Sequence, residues 1–378
     1  MQNVSSSNIQ AVNVPKLRFP GFEEEWKLQK MEDLAHYNKK RISVNKSQFV
    51  STENMKQNCE GIELYNDASL VDGIEFHKND ILIANIRPYL KKAWKAEFNG
   101  ACSSDVLSIN PAEINANFFF HCIEKDDFFN YVMSAAKGSK MPRGDKQHIM
   151  EYKISIPTTK EQKRISDFID LINCRISCQQ KIVDALKLYK RGVFSALSKR
   201  YLVNTTEEKL RAITICHDSR RIPMNSQERI HKKGLYPYYG ANGIQDFVND
   251  YIFEGEFVLL AEDGGHFEDF VEYSIAQYAV GKIWVNNHAH ILQATKCDSK
   301  FLFYMLEHKD IRAFINGTSR AKLNQEDMLQ ITVPFPSIDI QHKITKTLEN
   351  IDTKIAYSQE VLNASIIYKT ALLQQMFI

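Results

Sequence analysis

The sequence predicts an α+β chain in which two pseudo-two-fold-related α/β domains are separated by two long antiparallel helices that pair as a coiled coil. Three observations predict it. The second half repeats the first at a shift of 179 residues, so that Gly138 falls on Gly317, Pro157 on Pro336 and Gln162 on Gln341. Each half closes on an apolar pattern with the four–three spacing of a helical seam. Ahead of each pattern, short β-rich runs alternate with helical ones, as in a mixed domain.

A chain of 378 residues fits about two to three domains. With 44% hydrophobic and 25% charged residues, it has material for more than one core. The formal net charge is only +2, so no whole-chain field could hold DNA; a nucleic-acid binder of this composition needs locally concentrated cations or a partner that supplies the rest. The seven cysteines are odd in number and form no C-x-x-C pair, which argues against a disulfide framework or a zinc ribbon. They are expected to be free buried thiols in a reducing cytosol. The polar start MQNVSSSNIQ lacks an apolar signal core, and no apolar run reaches about 18 residues, so a cytoplasmic chain without membrane contact is expected.

Residues 1–16 form an N-terminal arm, and 17–157 the first domain, with a strand expected at 80–84 and a helix within 118–136. The central helix spans 158–200. It starts after Pro157 with Thr158 as N-cap and Glu161 close behind. Its seam is Ile165, Ile169, Ile172, Ile176, Gln179, Val183, Leu186, Lys190, Val193 and Leu197, eight of the ten being apolar. The second domain, 201–336, carries a strand at 257–261 and a helix expected at 300–316. The C-terminal helix, 337–378, has its seam at Ile344, Leu348, Ile351, Ile355, Ser358, Leu362, Ser365, Lys369, Leu372 and Met376, seven of the ten apolar. Polar residues fall at matching points, Gln179 with Ser358 and Lys190 with Lys369, and such positions fix register at some cost in stability. A repeat this long is no solenoid; two copies of a whole domain give one chain the symmetry of a dimer. The helix starts and ends align without gaps, whereas the middle of each half does not align.

Within each domain the loops hold the residue types that groove contact needs. The first offers Asn85, Arg87, Tyr89 and Lys91 around Pro88, then Ser139, Lys140, Arg143 and Lys146 in a basic loop with Gly hinges. Arginine suits guanine, asparagine suits adenine, and lysine neutralises phosphate. The second offers Thr318, Arg320 and Lys322 at the place matching 139–143, and Tyr238, Tyr239 and Asn242 in a Tyr- and Gly-rich run. A solvated loop is the plain alternative for the basic stretches, and a core-facing strand and turn for the tyrosines.

Catalytic patterns are weak. Glu262-Asp263-Gly264-Gly265-His266 and Asn286-Asn287-His288-Ala289-His290 contain metal-ligand types, but His-x-His alone is a poor pattern and the first half has no equivalent. There is no P-loop and no Asn-Pro-Pro-Tyr run. Asp105 and the histidines read better as hydrogen-bonding groups in or near a DNA surface. No catalytic residue and no metal ligand is assigned.

Val14-Pro15-Lys16-Leu17-Arg18-Phe19-Pro20-Gly21-Phe22 with Trp26 resembles the opening of the specificity subunit of Type I restriction-modification systems. Ser103-Ser104-Asp105-Val106-Leu107 and residues 286–292 resemble segments of its target-recognition domains. Ile156-Pro157 with Glu161-Gln162, and Pro336 with Gln341, resemble the starts of its two spacer helices. The resemblance implies two target-recognition domains, each reading one half of a bipartite, asymmetric site in double-stranded DNA. The helices set the unread gap and dock two modification subunits, which carry S-adenosylmethionine. Restriction subunits add ATP- and Mg²⁺-dependent translocation and cleavage. None of these cofactors is expected in this chain, which is then no enzyme. A self-contained nuclease or methyltransferase, and a coiled-coil scaffold without DNA specificity, are the rival classes.

Overall fold

The computed structural model describes residues 13–317 and 321–378. The chain divides into two compact units: the first takes the residues up to Lys181 together with Gln359–Ile378, the second Ile182–Ser358. The division cuts through both long helices rather than falling at their starts, because each helix contributes one end to each unit's core.

In the first unit a short helix, Met31–Leu34, leads into an antiparallel sheet ordered Ala35–Tyr37, Val106–Pro111, Ile81–Ala84, Ala93–Lys95. The central strand Ile81–Ala84 is buried at every position, as an apolar run covered on both faces must be. A second four-stranded sheet (Arg41–Asn45, Leu70–Phe76, Gly100–Cys102, Phe49–Val50) has no separate counterpart among the described strands of the other unit.

The second unit repeats the first sheet strand for strand. Leu210–Ile213 leads into Thr214–Cys216, Ala289–Ala294, Phe253–Ala261 and Ala276–Val285, in the same antiparallel order. Here the sheet grows to six strands by adding Lys233–Gly240 and Gly243–Val248, in place of a separate sheet. The two units therefore share a frame and differ in what is built upon it, which is why the middles of the halves refuse to align.

Each frame carries an equivalent helix. Ala116–Ile123 is capped by Asn115, whose side chain accepts the Phe118 N–H at 3.0 Å; Ser299–Leu306 is capped by Asp298, which accepts the Phe301 N–H at 2.6 Å. The helical region expected at 118–136 is two helices, the second being Asp126–Ser134. The helix expected to reach 316 ends at Leu306. Beyond it Asp310 accepts the Arg312 amide at 3.1 Å and its guanidinium, a local turn that competes with helix.

The long helices run Thr159–Tyr201 and Ile338–Met376, the first passing straight through Gly192. None of the twenty seam positions is exposed. In the first unit Ile165 and Ile169 lie in one core with Leu372, Met376 and Phe377. In the second, Val193 and Leu197 pack on the core that holds Ile344 and Leu348. Start meets end, then end meets start, the order that antiparallel helices give. At their ends the seams are thus buried in domain cores, a fuller burial than a bare coiled coil offers.

The helix starts are built alike. The Gln162 amide donates to the Pro157 carbonyl at 3.0 Å and accepts the Asn115 N–H at 3.0 Å; Gln341 does the same with Pro336 and Asp298, each at 2.9 Å. Both glutamines are buried and tie a helix start to the cap of the neighbouring helix. Arg18 reaches Glu161 through two N–H donors at 2.7 and 2.8 Å, so the opening segment pins itself to the first turn of the central helix.

The thiols divide. Cys102 and Cys122 are buried and Cys59, Cys216 and Cys297 half-buried, with burial pushing Cys59 and Cys102 up to about 12. Cys174 and Cys178 are exposed, contrary to expectation, because they lie off the apolar seam of the central helix.

Candidate nucleic-acid interface

In the first unit, two loops far apart in sequence form one surface. The loop after Ile81–Ala84 turns through Arg87 and the 3₁₀ turn Pro88–Leu90, with Arg87 and Lys91 both left-handed at φ 50°. Pro88 fixes the turn, and the Lys91 N–H closes it on the Pro88 carbonyl at 2.8 Å. The loop at 137–146 lies directly alongside. The Arg87 N–H donates to the Pro142 carbonyl at 2.7 Å, the Gly144 N–H donates to the Asn85 carbonyl at 3.0 Å, and Ile86 forms a bridge with Arg143. Arg87, Tyr89, Ser139, Lys140, Arg143 and Lys146 are all exposed. The Arg143 guanidinium donates to Asp105 at 2.7 Å while its side chain stays 57% exposed.

Two residues of this set are placed differently from expectation. Asn85 is buried beneath the loops; its carbonyl and N–H serve the backbone, and its Oδ1 faces the close approach at Gly144. It supports the surface rather than offering an edge to a base. The Lys91 ammonium is turned back onto Asp126, so its charge is already engaged.

In the second unit the corresponding hairpin is Ile315–Asn316 paired with Lys322–Leu323. Thr318 and Arg320 lie outside the described residues. Lys322 is exposed, bridges Asp263 in the backbone and donates to Glu262 at 3.0 Å. Glu262 also accepts from Arg221 at 2.6 Å. Beside this hairpin a cleft of about 380 Å³ is lined by Asn242, Gln245, Asp263, Gly264 and His288 among others. Asn242 is exposed and donates to the Gly264 carbonyl at 2.9 Å; His288 pairs with Asp263.

The tyrosines need correction. Tyr238 is 1% exposed, with its hydroxyl 3.1 Å from the Met224 amide, so it is a core residue; it sits on the strand Lys233–Gly240, whose alternation turns it inward. Tyr239 is half-buried against the core of Phe253, Phe257 and Leu259, and burial raises its hydroxyl's pKa.

Sequence reasoning missed Gln245, Arg221 and Glu262 as members of this surface. Near the start of each half Arg41-Ile42 corresponds to Arg221-Ile222, and that correspondence was the one available pointer to Arg221; Glu262 stood in a run read as a weak ligand cluster.

Asp218, Glu262 and His290 place ligand-type atoms within 4.8 Å of one another. Their donors are engaged. His290 Nε2 donates to the Leu323 carbonyl at 2.9 Å and Nδ1 faces Asp218; Arg221 and Lys322 occupy Glu262. Burial opposes ionisation of Asp218, but the His290 hydrogen bond and charge, the Ile291 amide and Arg221 outweigh it and hold the carboxyl below its usual range. Glu262 is lowered likewise: burial opposes, and the hydrogen bonds from Arg221 and Lys322 prevail. The residues fit a closed ion-pair network, with no open position for a metal.

Comparison with known proteins agrees with the duplicated plan. A family model described as the Type I restriction modification DNA specificity domain matches twice, at residues 23–188 and 214–366. A putative type I restriction enzyme specificity subunit of Haemophilus influenzae is 44% identical over 130 residues, which is 34% of this chain and 32% of the relative. A type I restriction enzyme specificity subunit of Methanocaldococcus jannaschii is 22% identical over 267 residues, 60% of this chain and 61% of the relative. These matches span less than two thirds of each relative's length. The crystal structure of a Type I restriction-modification S subunit from M. genitalium superposes with a TM-score of 0.61 at 15% identity, covering 97% of this chain and 99% of that one. A chain from a structural study of complex assembly and conformational transition in the type I R-M system gives 0.54 at 14% identity, covering 95% and 98%. No described helix is long and apolar enough to cross a membrane. With the family model matched in both halves and each half built on the same four-stranded frame, this chain belongs to the family of Type I restriction modification DNA specificity domains.

Proposed function

We propose that this chain is the DNA-reading subunit of a Type I restriction-modification complex, each unit reading one half of a bipartite, asymmetric site. The observation that carries the reading is the pairing of a constant frame with divergent surfaces. Both units keep the same sheet order and the same hairpin with an exposed cation, Arg143 or Lys322. Around that constant point the first unit presents Arg87, Tyr89 and Lys140, and the second presents the cleft of Asn242, Gln245 and His288. Base-edge contacts by such side chains contribute about 1–3 kcal/mol each. Two different surfaces on one frame read two different sequences.

On this reading the paired helices set the unread gap and dock two modification subunits. The modest net charge of +2 leaves part of the phosphate neutralisation to those neighbours. The complex is cytoplasmic, and restriction subunits complete it. The chain performs no chemistry and holds no cofactor; S-adenosylmethionine, ATP and Mg²⁺ belong to the partner subunits. The engaged donors around Glu262 support that assignment. The test is selection from a random duplex pool by this chain co-purified with its modification subunits. Recovery of two short fixed elements with a constant gap is the expected result. Recovery of one continuous element, or of no preferred sequence, contradicts it, as does methylation or cleavage by the purified chain alone.

A further inference from the structure

The two units hold a cation at the same backbone position by the same bonds. In the first, Lys137 and Arg143 pair across a loop entered through left-handed Gly138 (φ 97°). In the second, Asn316 and Lys322 pair across a loop entered through left-handed Gly317 (φ 88°). The strand that receives the hairpin is clamped alike. The Asn85 N–H donates to the Asp105 carbonyl at 2.8 Å and the Glu262 N–H to the His288 carbonyl at 2.8 Å. The carbonyl of Asn85 then accepts from Gly144 at 3.0 Å, and that of Glu262 from Leu323 at 2.8 Å.

Each cation is also aimed by a carboxylate, but from different places. Asp105 precedes the strand Val106–Pro111, whereas Glu262 follows the strand Phe253–Ala261. Both cations stay about half exposed, Arg143 at 57% and Lys322 at 48%, so each keeps donors for a ligand. One copy uses arginine and the other lysine. A bidentate contact to a base does not tolerate that exchange, because only the guanidinium presents a planar fork. Neutralisation of a phosphate does, because a point charge suffices.

We propose that Arg143 and Lys322 are a duplicated phosphate anchor: each seats its unit on the DNA backbone in the same pose and carries no sequence information. Reading is left to the divergent neighbours, Arg87 with Tyr89 in one unit and Asn242 with Gln245 in the other. This rests on the DNA-reading role proposed above.

The test uses the full chain with its modification subunits and a duplex that the wild type selects from a random pool, alongside the same duplex with one half-site scrambled. Arg143→Ala and Lys322→Ala each lower the slope of log K against log salt by about 0.9, and weaken binding by the same factor on both duplexes. Arg143→Lys and Lys322→Arg restore wild-type binding, and every variant selects the wild-type sequence. A variant that selects an altered half-site, or an Arg143→Lys that fails to rescue, marks a base reader and overturns the proposal. An unchanged salt slope in both alanine variants, with wild-type melting temperatures, overturns it too. Should the wild type select no sequence at all, the DNA-reading role itself fails, and the anchor with it.

Discussion

Lys369 donates to Glu124 at 2.6 Å, and 179 residues earlier in the chain Lys190 donates to Glu307 at 2.8 Å. Each lysine leaves a long helix and closes the end of a short one, Ala116–Ile123 or Ser299–Leu306. Each also belongs to the opposite copy of the repeat from the glutamate it binds. The two seam lysines are thus ties between a helix and a frame.

Removing the Lys369 tie leaves Glu124 buried with His121 as its remaining partner. Lys369→Met is expected to destabilise the first unit by about 1–3 kcal/mol, and Lys369→Met with Glu124→Gln by less than Lys369→Met alone, since the uncompensated charge is gone. Chemical denaturation of the full chain measures both.

The same network makes the first unit's stability depend on pH. His121 faces Glu124 at 2.7 Å and Asp170 at 3.0 Å. Burial would lower its pKa, but the hydrogen bonds its ring donates to Asp170 and Glu124, with their charges, raise it above the ordinary 6.5. Burial would raise Glu124, yet His121 and Lys369 hold it below 4.5. A raised histidine stabilises fully below its unfolded pKa and loses that contribution as pH climbs through the folded one. A lowered carboxyl stabilises above its unfolded pKa and loses it as pH falls through the folded one. The network is therefore strongest between about 4.5 and 6.5. The wild-type melting temperature is expected to fall as pH rises above about 6.5, and His121→Asn to lose that dependence. The second unit carries Tyr304 at the matching place, bonded to Asp352, and has no such dependence from it.

Among the described residues Arg18 is the one charge paired with Glu161, which is fully buried. Arg18→Ala is expected to cost about 3 kcal/mol, and Arg18→Lys to recover only part, because an ammonium cannot reproduce the two-donor contact. Thermal denaturation checks the order wild type, Lys, Ala.

Arg87 holds a left-handed backbone, φ 50°, that costs a non-glycine residue about 1 kcal/mol. Arg87→Gly is expected to stabilise the chain slightly while altering the selected sequence in one half-site alone. Uniform weakening across all sequences would instead mark Arg87 as a backbone contact.

Much of this was legible in the sequence because the repeat preserves structure that depends on short spacings. Gln162 and Gln341 matched, and they turn out to make the same two bonds; Gly138 and Gly317 matched, and both are left-handed. The seams were readable because burial on a helix follows a fixed period. The surfaces were not. Asn85 looked like a base reader until strand pairing buried it, and Tyr238 faces inward only because of the strand's phase. The carboxylates that aim Arg143 and Lys322 come from unrelated positions, so no alignment of the halves could pair them.

The proposed spacer role of the helices is tested most directly by inserting one heptad after Lys181 and one after Ser358, then mapping methylated bases across the genome of cells carrying the altered chain. Seven residues add about 10 Å, or about three base pairs. The expected map keeps both half-sites and lengthens the gap between them by that amount. An unchanged gap between unchanged half-sites would contradict the claim that paired helices convert their length into the spacing of two reading heads.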